Sequence, residues 1–131
     1  MNKILVLLIS FCLVLSLIGC TEQISGPGGN ARSVTLVISN GEDVLFSKES
    51  KDIVTGTNAF DAVKTMLDNN LEYQEYDFGV FITSILGATP DSTHFWSLYI
   101  NGENASNGIS SYNISDDILI EFKLEELQTF E

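Results

Sequence analysis

The side chains that could do chemistry are few and scattered: one histidine, His94, two cysteines, Cys12 and Cys20, and one tryptophan, Trp96. A serine hydrolase needs an imidazole beside an activated hydroxyl and an orienting acid. No Gly-x-Ser-x-Gly turn is present, and His94 has no such company in the sequence. Structural zinc sites are built mostly from Cys and His, and two cysteines and one histidine leave almost no material for one. Glu103, Asp116 and Asp117 are oxygen donors, yet the regular spacing of a calcium loop is missing. These absences point to a protein that is not an enzyme and requires no cofactor or metal. Binding chemistry remains. Phe95, Trp96 and Leu98 cluster within four residues, either as an aromatic platform for a flat molecule or as core filling under a helix. The segment from Asn101 to Ser111 offers the amides of Asn104 and Asn107 and free backbone N–H groups around Gly108. Its alternative is a solvated hairpin loop.

The charge balance narrows the partners. Eighteen Asp and Glu face six Lys and Arg over 131 residues, a net charge of −12. Such a surface repels phosphate backbones, which excludes nucleic acid as a partner. With 44% hydrophobic and 18% charged residues the chain is too apolar to be disordered.

Part of that apolar content is a sorting signal. Lys3 is followed by an apolar-rich run from Ile4 to Ile18, 15 residues long. A spanning helix needs about 20, whereas a secretory signal core is of this length. The run closes in Leu17-Ile18-Gly19-Cys20, which resembles the prokaryotic lipobox. That resemblance implies cleavage after Gly19 and lipid on the Cys20 thiol, with residues 1–19 lost and 112 of the 131 residues kept. The expected location is the extracytoplasmic side of a cell membrane, reached through the Cys20 anchor. Residues 20–33, rich in Gly and interrupted by Pro27, read as a flexible tether.

The remainder must supply a scaffold. Val34, Leu36 and Ile38 alternate with Thr35, Val37 and Ser39 as in a half-buried strand. Asn40-Gly41 predicts a hairpin into a second strand from about Asp43 to Glu49, with Lys48, Lys51 and Asp52 as a solvated exit. Thr57 or Asn58 can cap a helix whose Phe60, Val63 and Leu67 make one apolar stripe, stopped at Asn69-Asn70. Strands are expected at Val80–Ile85, Phe95–Ile100 and Ile118–Leu124, with a short extended piece at Ile109–Ile114 and a fraying acidic tail from Glu125. A hairpin, one helix and about three strands predict an α+β fold, β-grasp-like with one mixed sheet, over a β-sandwich.

The second half carries a longer pattern. Gly79 to Gly87, Phe95-Trp96-Ser97-Leu98-Tyr99-Ile100-Asn101-Gly102 and Ala105 to Tyr112 stand in order, with Gly56-Thr57 and Ala59 to Val63 upstream. Together they resemble the transcobalamin-like C-terminal domain family, over a domain at about 34–124 with residues 125–131 as its tail. The family usually has Gly-Asp in the last turn. Here Asp116-Asp117 stands there, so Asp116 is expected to bear any strained angle without glycine's freedom. The resemblance implies a small-ligand-binding domain, with a corrinoid such as cobalamin as ligand and Phe95, Trp96, Leu98, Asn104, Asn107, Gly108 and Tyr112 facing it. In the eukaryotic cobalamin carriers of that family, the resembling domain is the smaller half of a two-part site. A different expectation is a non-catalytic interaction or structural module that docks on another surface protein through a sheet edge or the Trp96 region.

Overall fold

The computed structural model describes residues 30–129. The expected signal segment 1–19, Cys20 and most of the 20–33 tether lie outside the described residues. The order of elements is β1 (Ala31–Asn40), β2 (Asp43–Val54), α1 (Ala59–Met66), β3 (Leu71–Tyr76), β4 (Gly79–Ile85), β5 (His94–Ile100), β6 (Glu103–Asn104) and β7 (Ile118–Glu126), with a 3₁₀ turn at Ile109–Ser111. This is an α+β arrangement. A five-stranded mixed sheet runs β2-β1-β7-β5-β6, and β3 and β4 form a separate two-stranded sheet. The pair β1 and β7 is parallel, Leu36 opposite Ile120 and Ile38 opposite Phe122.

The alternation in β1 and β7 has the expected consequence. Val34, Leu36, Ile38, Ile120 and Phe122 are buried, and Phe60, Val63 and Leu67 of the helical region pack in the same core at 7%, 0% and 2% exposure. Each such side chain contributes about 1.5–3 kcal/mol relative to exposure. Asn58 caps α1: its Oδ1 accepts the Phe60 N–H at 3.0 Å, and its Nδ2 donates to the Ser110 carbonyl at 2.9 Å. One residue thereby starts the helix and fixes the 3₁₀ turn beside it.

Several sequence expectations are corrected. The β1–β2 turn residues are Gly41 and Glu42, because Asn40 pairs with Asp43, and Gly41 takes φ +62°. The strand β2 continues to Val54, so Lys48, Lys51 and Asp52 lie inside it; its exposure as an edge strand accommodates their charge. The helix ends at Met66, and Asp68 and Asn69, rather than Asn69 and Asn70, take positive φ after it. Val80–Ile85 does not join the main sheet. It pairs with β3, a strand that the sequence reading leaves out because Glu72, Gln74, Glu75 and Tyr76 are all exposed. Ile109–Ile114 is a 3₁₀ turn followed by a bridge of Asn113 to Asn58, not an extended piece. Asp116 is not among the residues with positive φ, so the missing glycine costs nothing there. Glu125 and Glu126 are held in β7 opposite Phe95 and His94 instead of fraying.

Candidate functional site

The β3–β4 hairpin stands beside the β5 side of the main sheet, and a groove runs between β4 and β5. Buried Leu71, Ile82 and Ile85 root the hairpin in the core. A polar attachment is added: the Val80 N–H donates to Ser110 Oγ at 3.1 Å. That approach requires glycine at the preceding position, since Gly79 has φ +134° and a Cβ there would lie 2.8 Å from Ser110 Oγ. The 3₁₀ turn thus holds the β4 wall of the groove in place.

Two cavities make up the groove. The inner one, about 110 Å³, is lined by Val80, Phe81, Ile82, Trp96, Leu98, Gly108, Ile109 and Phe122. The outer one, about 270 Å³, adds Pro90, Asp91, His94 and Phe95 and shares Phe81, Ile82 and Trp96 with it. The walls are mainly apolar. Phe81 is 58% exposed, which leaves an aromatic ring at the mouth. Trp96 is half-buried and packs against the core, yet its indole Nε1 is enclosed without a hydrogen-bond acceptor. An unpartnered buried donor costs roughly 1–3 kcal/mol.

The outer cavity has one charged corner. Asp91 Oδ1 accepts from the Thr93 N–H at 2.8 Å and the Thr93 hydroxyl at 2.7 Å, and His94 Nδ1 lies 2.8 Å away. The His94 imidazole first, and then the two Thr93 donors, hold the Asp91 carboxyl well below the usual carboxylate range. Asp91 is therefore an anion throughout the neutral and mildly acidic range. Among the described residues no three His, Cys, Asp or Glu side chains gather as a metal site, and His94 with Asp91 is a pair only.

The sequence-derived residues divide between the groove and its supports. Trp96, Leu98, Gly108 and Phe95 line the cavities. Asn104 is exposed and donates to Ser97 Oγ at 3.2 Å, which ties β6 to β5. Asn107 is exposed in the loop, and Tyr112 packs against the core and accepts the Ala59 N–H on its carbonyl at 2.9 Å. None of these three lines either cavity. The hairpin wall, Val80, Phe81 and Ile82, is absent from the sequence-derived set, although Gly79 to Gly87 is part of the pattern that carries the family resemblance. Nothing local in it signals that β4 faces Trp96. Cys20 lies outside the described residues.

A profile described as "Domain of unknown function (DUF4430)" matches residues 56–126, from the turn before α1 to the end of β7. No curated protein sequence matches the chain. Among solved structures, a protein from Ruminococcus gnavus ATCC 29149 to which metal binding is ascribed superposes with a TM-score of 0.58 at 19% identity, over 74% of this chain and 99% of that one. Haptocorrin in complex with Cbi superposes with a TM-score of 0.61 at 18% identity, over 84% of this chain but only 29% of the haptocorrin chain. At such identities these likenesses concern the fold.

Proposed function

The chain belongs to the DUF4430 family, and on that premise we propose that it is a lipid-anchored, extracytoplasmic binding protein without catalytic activity. Its groove along Trp96 is one wall of a site for a flat, amide-bearing small ligand, a corrinoid being the named class. The fold is read as β-grasp-like and transcobalamin-like: a hairpin, one helix and the parallel β1–β7 pair, with the haptocorrin likeness in support. The observation that carries the reading is the groove itself, where the Trp96 ring, Phe81, Leu98 and Gly108 make an apolar recess beside the unpartnered indole N–H of Trp96.

Size supports a wall rather than an enclosure. Pockets that surround a small ligand hold about 300–1,000 Å³, and the two cavities here hold about 110 and 270 Å³. A macrocycle would lie across the mouth, on Phe81 and Phe95, with one substituent in the recess. Titration of the detergent-solubilised chain with cobinamide tests this. Quenching of Trp96, the single tryptophan, and co-elution of ligand on gel filtration are expected. Absence of both at about millimolar ligand, the weak end of useful affinity, overturns the corrinoid reading.

A further inference from the structure

We propose that the groove accepts an extended peptide as an added β-strand between β4 and β5, with a cationic residue of that peptide beside Asp91. This goes beyond the small-ligand reading and stands on main-chain groups instead of ring faces.

The free edges are defined by hydrogen bonds already present. On β5 the Leu98 carbonyl faces away from β7, because it accepts the Ala105 N–H at 2.8 Å. The β5–β7 register is regular from His94 to Ile100, so the backbone groups of every second residue face the same way. Trp96 therefore turns its N–H and C=O outward. Strand β6 pairs only with Tyr99 and Ile100, and it stops short of Trp96. On β4 the Val80 N–H faces away from β3, toward Ser110 Oγ. The register is unbroken from Val80 to Ile82, so Ile82 also turns its backbone groups away from β3. Ile82 and Trp96 line both cavities. Trp96 on β5 and Ile82 on β4 thus turn their backbone groups outward on either side of one apolar recess, and an extended chain carries donors and acceptors along both of its sides to match them.

The other long edge does not compete. Strand β2 is the opposite margin of the sheet, but its pairing with β1 shifts register between Arg32 and Val34 and again between Ile38 and Ser39. Bulges and the lysines Lys48 and Lys51 are the usual protections of an edge against pairing. The β5 edge beside Trp96 carries neither. Charge selects the peptide: Asp91 is held ionised at the outer cavity, and the whole chain carries −12.

The test uses the ¹⁵N-labelled full chain in detergent and the capped hexapeptide Lys-Val-Thr-Val-Thr-Lys. Main-chain bonds supply most of the affinity in strand addition, so a generic alternating sequence suffices. At millimolar peptide the Trp96 and Ile82 amides are expected to exchange about tenfold more slowly. The same peptide N-methylated at alternate residues should leave them unchanged, and Asp91→Lys should weaken binding of the lysine peptide while a glutamate-ended peptide gains. Unchanged exchange at Trp96 and Ile82, equal protection by the N-methylated peptide, or protection confined to β2 overturns the proposal. Cobinamide quenching is read separately, so failure of strand addition leaves the corrinoid reading intact, and the reverse holds too.

Discussion

Asp91 shows how one side chain sets the character of the groove's rim. It sits on the surface, where ion pairs contribute little, yet three donors converge on a single oxygen. The sequence held the ingredients in Asp91-Ser92-Thr93-His94, but a lone imidazole in a loop gives no sign of its partner. Trp96 is legible in the sequence as either platform or core filler; in the structure it packs partly buried against the core and lines both cavities. The pH dependence of stability follows from the Asp91 shift. Its folded-state pKa lies below the unfolded value of about 3.9, so the carboxylate's contribution is complete above that value and is lost as the pH falls beneath it. Thermal unfolding of the native chain and Asp91→Asn should therefore differ most at pH 6, with the native chain higher in Tm. The gap should narrow steadily below pH ~4 as the unfolded state takes up its proton. A gap of constant size from pH 6 to pH 2.5 contradicts this account.

At the scale of elements, the strands that alternate cleanly were legible, and so was the capped helix. The β3–β4 hairpin was not, for a physical reason. It is a small sheet that buries only Leu71 and Tyr73 from its first strand, with Tyr73 packed edge-on against Phe60 at 4.8 Å. Such a strand carries little hydrophobic alternation, because most of it faces water. The 3₁₀ turn at Ile109–Ser111 was missed because Ile109 and Ile114, both buried, fit an extended segment equally well. Two glycines separate position from composition. At Gly79 an alanine would meet both a positive φ and Ser110 Oγ at 2.8 Å, whereas at Gly108 the nearest atom to a new Cβ is the Val80 carbonyl at 3.5 Å. Gly79→Ala should cost about 1–3 kcal/mol in urea unfolding and speed exchange at the Val80 amide. Gly108→Ala should stay within about 1 kcal/mol of the native chain. Equal effects of the two substitutions would show that the hairpin's attachment does not depend on the Ser110 contact.

At the scale of the whole molecule, the sheet, helix and hairpin present a groove that is open along its length, and the chain matches only 29% of the haptocorrin chain. An open wall holds ligand weakly unless something raises the local concentration or supplies the opposite wall. The proposed anchor at Cys20 would do the first, since a lipid-linked domain is confined to a surface. Electrostatics then sets the posture. The proposed removal of residues 1–19 would take away Lys3 and leave five cations against 18 carboxylates, a net charge of −13. Anionic headgroups repel such a domain over about a Debye length, roughly 8 Å at physiological salt. Anchoring has a direct readout. Intact mass of the protein extracted from membranes should lack Met1 to Gly19 and carry lipid mass on the peptide that begins at Cys20, and Cys20→Ser should release the domain from the membrane or leave the precursor uncleaved. A mature mass that retains Met1, or membrane retention of a cleaved Cys20→Ser chain, would remove the anchor from this account and leave the groove to act in free solution.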